Sequence, residues 1–196
     1  MSKKKKPYHH GNLRRALIDT ATELIRERGM PEFTLRELAR RLDVTHAATY
    51  HHFKDKNALL AAVAMDGHEA LLGRLEESVE GASGSGQAIR SVGETYISFA
   101  GENAAHFGVM FAYTLPNEEG PTARIRGIFE RLLREVERDG LVSGSPKVLA
   151  ASAWASYHGV ASLLIQGCLT EADDLAMLTE RAYQCTVRPM PLAVAS

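Results

Sequence analysis

At 196 residues, with 45% hydrophobic and 24% charged side chains, the chain can bury one sizeable core and has neither the composition of a disordered chain nor that of a collagen-like or coiled-coil one. Its formal charge of −1 hides an asymmetry: residues 1–60 hold 13 Lys+Arg against 7 Asp+Glu and the remainder 10 against 17, so a basic part able to meet a polyanion precedes an acidic one. Charged or polar groups are read as interrupting every apolar run, the basic start lacks the apolar stretch of a secretory signal, and Cys168 and Cys185 have no metal-ligand spacing, so a cytoplasmic protein with no membrane span, metal or cofactor is expected.

From Leu13, the residues Leu17, Ala21, Leu24 and Ile25 recur at helical spacing, and Gly29 is placed to end a first helix over about 12–28. Thr34 with Glu37 three residues on predicts a capping box in which each side chain serves the other's backbone N–H, opening a helix over 35–42. Thr45 then caps a short helix reaching Phe53, and two helices joined this tightly form a helix-turn-helix candidate. Asp55 or Lys56 opens a long helix to about residue 80, followed by a flexible Gly81–Gly86 connection. Ile89 to Phe99 mark another helix, Ala104 to Tyr113 a short aromatic one, and Ile125 to Val136 the next, after a break at Pro116–Pro121. Ser145-Pro146 reads as an N-cap with proline at the first helical position, and two last helices cover about 147–167 and 171–186. No strand-period segment or long repeat occurs, so the fold class is all-α with about nine helices.

The stretch Val44-Thr-His-Ala-Ala-Thr-Tyr50-His-His-Phe53-Lys-Asp-Lys56-Asn-Ala-Leu-Leu60, with Thr34-Leu-Arg36-Glu-Leu38-Ala39 before it, resembles the N-terminal DNA-binding domain of the TetR (tetracycline-repressor) family of bacterial transcription regulators. The similarity runs from His10 to Leu60 and departs at two positions. Asp43 stands where the family usually has the glycine of a positive-φ turn, and Thr49 where it usually has an aliphatic anchor, so the Thr49 hydroxyl is expected to bond back to a helical carbonyl. The resemblance implies a DNA-binding domain over 1–55 and a regulatory and dimerisation domain over 56–196.

Chemistry suits the implied DNA contacts. Ala47 and Ala48 keep the start of a recognition helix slim enough for a major groove; His46 and His51 offer ring nitrogens to base edges; Thr34, Thr45, Tyr50 and Lys56 suit phosphates; Arg36 is the long fork able to grip guanine. Lysines 3–6 could follow a neighbouring phosphate rail. Tyr50 could instead fill the core, His52 and Phe53 suit packing against the first helix, and His51 and His52 point about 100° apart on a helix, which disfavours a shared metal.

Trp154-Ala-Ser-Tyr-His158-Gly159 resembles a Trp-x-x-x-His-Gly pattern of one branch of the family's C-terminal domains, with Gly159 allowing close approach of a backbone. Tyr96, Phe99, Phe107, Met110, Phe111, Trp154 and His158 suit a pocket for a small apolar or aromatic effector, and equally a core. The resemblance further implies a homodimer through the last two helices, involving Ala151, Ala155, Gly159, Leu175, Leu178 and Ala182, that reads a pseudo-palindromic double-stranded operator as a ligand-released repressor. No phosphate-cradling glycine motif, HExxH or activated nucleophile points to an enzyme. A redox-responsive regulator using Cys168 and Cys185, whose thiols read as ordinary and inert, and a helical adaptor without DNA binding are the alternatives.

Overall fold

The computed structural model describes residues 12–29, 32–113, 120–169 and 172–187. Among the described residues the chain is all-α, with nine helices: α1 Leu13–Arg28, α2 Leu35–Leu42, α3 His46–His52, α4 Lys56–Glu80, α5 Ser85–Glu102, α6 Ala104–Met110, α7 Pro121–Arg138, α8 Pro146–Ile165 and α9 Ala172–Val187. Lysines 3–6 and most of the expected break at 116–121 lie outside the described residues. Two compact units form, Met1–Gly67 with Ala105–Leu115, and His68–Ala104 with Pro116–Ser196.

In the first unit, the Asn12 side chain accepts the Arg15 N–H at 3.2 Å to start α1, and Gly29 ends it at φ 77°, ψ −169°, a region open essentially only to glycine. The Thr34 hydroxyl accepts the Glu37 N–H at 3.2 Å, but the reciprocal half of the expected capping box is absent. The Glu37 carboxylate instead holds the Arg28 guanidinium through bonds of 3.1 and 2.7 Å, because a charged two-pronged donor outcompetes a neutral amide. Asp43 closes α2 in the left-handed region, at φ 56° and ψ 43°, and the Val44 N–H reaches the Ala39 carbonyl at 3.0 Å. Thr45 accepts the Ala48 N–H at 3.2 Å and opens α3. Leu17, Leu24, Leu38, Leu59, Leu60 and Val63 are sealed in the core beneath, and Val109 of α6 joins them.

In the second unit, α8 packs on α5, α7 and α9. Tyr157 needs Gly93 opposite it: a Cβ there would lie 2.2 Å from the ring, whose hydroxyl donates to the Ile89 carbonyl at 3.4 Å. α5 starts at Ser85, inside the connection expected to be flexible, since the Gln87 side chain accepts the Ser83 N–H at 2.9 Å and the Ser85 hydroxyl donates to Asp139. Pro146 occupies the first turn of α8 as expected, although the Ser145 side chain makes no capping bond.

One helix stands out for its scarcity of charge, although Ser152, Ser156, His158 and Ser162 interrupt its apolar run. After Lys147 no Asp, Glu, Lys or Arg occurs until Glu171, and α8 is long and apolar enough to cross a membrane by length and composition. Only 22% of its apolar window is buried in this chain, so α8 exposes apolar surface that the core does not cover.

Candidate nucleic-acid interface

The α3 surface is small at its start and polar beyond. Thr45, Ala47, Tyr50, His51 and His52 are exposed, His46 and Ala48 half-buried, and Phe53 lies in the core. Tyr50 is thus no core filler: it is 46% exposed, its ring braced edge-on by His46 with centroids 4.5 Å apart. The His46 Nε2 is enclosed without a hydrogen-bond partner among the described residues. The His51 and His52 rings stand 5.5 Å apart and nearly perpendicular, closer than their helical positions suggested. Thr49 is fully buried and its hydroxyl has no partner among the described residues, contrary to the expected bond to a helical carbonyl; the Thr45 carbonyl one turn back accepts the Thr49 N–H at 3.4 Å.

Ion pairs sort the arginines. Arg28 is tied to Glu37, and Arg41 to Glu27 at 3.0 Å, which holds both carboxyls below the usual range. Arg36 is exposed and has no ion pair among the described residues, leaving its guanidinium available to an outside acceptor. Lys56 opens α4 with its ammonium 5.0 Å above the Phe33 ring, while the Asp55 carboxylate accepts the Ala58 N–H at 2.7 Å at the start of the same helix. Arg14 of α1 lies 5.4 Å over the Phe53 ring and so ties α1 to the end of α3. Phe53 thus meets the first helix as expected, although its partner there, Arg14, is not one that helical spacing singles out.

In the second unit the Tyr96 hydroxyl is a hub. It accepts the Trp154 indole N–H at 3.1 Å and lies 2.9 Å from His158 Nδ1. Burial pushes the Tyr96 phenol well above its ordinary range, against the Trp154 hydrogen bond, and burial pushes the His158 imidazole down. Trp154 stacks on Phe129 with centroids 6.4 Å apart, and Phe99 is buried. Of the seven residues assigned to one pocket, Tyr96, Phe99, Trp154 and His158 belong to this unit, whereas Phe107, Met110 and Phe111 belong to the first, where Phe107 and Phe111 meet with centroids 5.3 Å apart. A separate cavity of about 400 Å³ opens between α5 and α9, bounded by Arg90, Ile97, Leu175 and Tyr183 among others, and lined by none of the seven.

Ala151, Ala155 and Gly159 are exposed on α8, Leu175 and Leu178 are half-buried on α9, and Ala182 is buried. Among the described residues nothing lies within 4 Å of a Cβ placed on Gly159, so none of their backbone approaches there. Cys168, after α8, and Cys185 on α9 are exposed free thiols.

Two short helices joined through a left-handed Asp43, with the second presenting small and polar residues outward, define a helix-turn-helix regulator of transcription. The pattern described as "Bacterial regulatory proteins, tetR family" matches residues 17–63, and that of the "Tetracyclin repressor-like, C-terminal domain" matches residues 89–185. The chain belongs to the TetR family, whose members are regulators and not enzymes. It is 53% identical over 51 residues to the tetracycline repressor protein class C of Escherichia coli, covering 26% of this chain and 23% of that protein. It is 41% identical over 98 residues to the HTH-type transcriptional regulator BetI of Klebsiella pneumoniae (strain 342), covering 46% of this chain and 50% of that one. The chain therefore spans from about a quarter to half the length of these relatives. Its fold is similar to that of a protein of unknown function from Rhodococcus sp. RHA1, at 28% identity and TM-score 0.76 over 94% of this chain and 100% of the other. It is also similar to the TetR family transcriptional regulator PfmR of Thermus thermophilus, at 17% identity and TM-score 0.69 over 88% and 97%.

Proposed function

We propose that the chain acts in the cytoplasm as a homodimeric repressor that binds a pseudo-palindromic operator through residues 1–55 and is released by a small apolar or aromatic ligand bound within residues 56–196. The observation that carries the DNA-binding part is the outward face of α3, small at its start and polar beyond, with an exposed Arg36 on α2 before it. Arg28 and Arg41 are consumed by Glu37 and Glu27, while Arg36 has no ion pair among the described residues, and Thr34, Thr45, Ala47, Tyr50 and His51 are exposed with it, His46, Ala48 and Lys56 being half-buried. A bidentate guanidinium reads guanine, and the remaining groups suit phosphates, sugars and base edges.

For the effector, Tyr96, Trp154 and His158 supply polar atoms among Phe99 and Phe129, the mixture that orients an aromatic ligand. Dimerisation is supported by the uncovered apolar face of α8. The exposed thiols Cys168 and Cys185 give the redox reading access, and no disulfide joins them.

Selection from a pool of random duplexes tests the DNA-binding part. A two-fold symmetric site should emerge, with affinity falling steeply as salt rises because bound counterions are displaced. R36A should relax base preference at one position in each half-site by about 1–3 kcal/mol, whereas Y50A and K56A should weaken all sequences alike. An R36A protein with an unchanged selection profile would remove Arg36 from the readout.

A further inference from the structure

α6 follows α5 in the chain after Asn103 alone, yet it is built into the unit that carries the helix-turn-helix. It is pressed on α4 at Gly67, where a Cβ would lie 2.8 Å from the Met110 sulfur and 2.9 Å from the His106 Cβ. At the adjoining residue, the Asp66 carboxylate faces two helices at once. One oxygen lies 3.4 Å from His106 Nε2 on α6, and the other accepts from the Arg15 guanidinium on α1. Arg15 also meets Asp19 at 2.8 Å. The next residue on α1 towards its start, Arg14, covers Phe53 at the end of α3. One carboxylate thus stands in a line of contacts from α6 through α4 and α1 to the recognition helix, all inside one unit.

The groups that act on His106 are those just named. Asp66 and Asp19 favour the imidazolium, while Arg15 and above all burial oppose it, and burial prevails, so the imidazole titrates below its ordinary range. A proton therefore binds more weakly to His106 packed on α4 than to a solvated imidazole, and acid favours the arrangement in which α6 leaves α4.

We propose that Asp66 is a positioning residue that couples the seating of α6 to the placement of α1 and α3, so that unseating His106 weakens DNA binding. This rests on the reading of the chain as a DNA-binding regulator and adds to it a second input, the proton, at a site distinct from the Tyr96 cluster.

The test uses the full chain and the proton itself as probe. With histidine ring resonances followed against pH, D66N should move the His106 titration to lower pH and R15Q to higher pH, since each removes one of two opposed charges. No movement in either variant would overturn the shared clamp. On the selected duplex, the Kd of the wild type divided by that of H106Q should rise about threefold or more between about pH 7.5 and about pH 5.5, because glutamine holds the contact without titrating. The same ratio should stay flat in a D66N background, or in R15Q should D66N not fold. A flat ratio in the wild-type background would overturn the coupling while leaving the DNA-binding reading intact. Failure to select any duplex would instead overturn that reading, and this proposal with it.

Discussion

The Tyr96 hydroxyl lies 2.9 Å from His158 Nδ1 and accepts the Trp154 N–H at 3.1 Å, so one oxygen on α5 fastens two residues a turn apart on α8. Y96F keeps the ring and removes that oxygen from a fully buried position. The expected cost is about 1–3 kcal/mol, as for a lost buried hydrogen bond, and chemical denaturation measures it. Equal stability of Y96F and wild type would show that packing alone holds α8 on α5 here.

Burial depresses both His158 and His106 in the folded chain. Below the ordinary imidazole range the unfolded chain then binds more protons than the folded one, so this stabilisation is complete near neutral pH and is lost as pH falls through the lower folded values. Paired carboxyls such as Glu37 and Glu102 are also held low, but they act at more acid pH, below the ordinary carboxylate range. Unfolding free energy should therefore decline between about pH 7 and about pH 5, and H158Q should flatten part of that slope. An identical slope in H158Q would place the acid sensitivity elsewhere.

Thr49 is the cheapest interior position to improve. Its hydroxyl is buried without a partner among the described residues, so T49V exchanges an unsatisfied polar group for a methyl of the same shape. The variant should be as stable as wild type or more stable by about 1 kcal/mol, with DNA affinity unchanged. A destabilised T49V would mean that the hydroxyl finds a partner in solution.

Asp43 tolerates the left-handed turn at φ 56° where a β-branched residue would not. D43G should be neutral or slightly stabilising, and D43V should cost about 1–2 kcal/mol in thermal or chemical unfolding. Equal stability of the two variants would mean that the turn can adopt another backbone.

Local rules reached the helices and their ends because these features are local. Thr34 and Thr45 each accept a backbone N–H three residues on, as their spacing implied, and Asp43 takes the left-handed turn that the family resemblance implied. Pairings across the fold were hidden for the opposite reason. Nothing near Glu37 in sequence announces that Arg28 will take its carboxylate, and nothing near Asp66 announces Arg15 and His106. The residues assigned to an effector pocket were legible as a type and not as a set, since aromatic residues at helical spacing suit a core and a pocket alike. Only tertiary structure separates Phe107, Met110 and Phe111 from Tyr96, Phe99, Trp154 and His158.

The exposed face of α8 makes dimerisation testable without risk to the fold. Val148, Ala151, Ala155, Gly159 and Leu163 recur every three or four residues and all face outward, with Val148 64% and Leu163 44% exposed. A Cβ at Gly159 would meet nothing within 4 Å among the described residues, so G159R should fold as wild type does, and replacing a mid-helix glycine removes a local cost of about 1 kcal/mol. Opposite a second copy of α8, however, the same arginine would place a charge and a long side chain where two backbones approach. G159R is therefore expected to sediment as a monomer with unchanged helical content. Because two recognition helices about 34–36 Å apart read successive half-sites, the monomer should bind the full selected duplex about 100-fold or more weakly. Wild-type behaviour in both sedimentation and full-duplex binding would move the dimer contact off this face of α8.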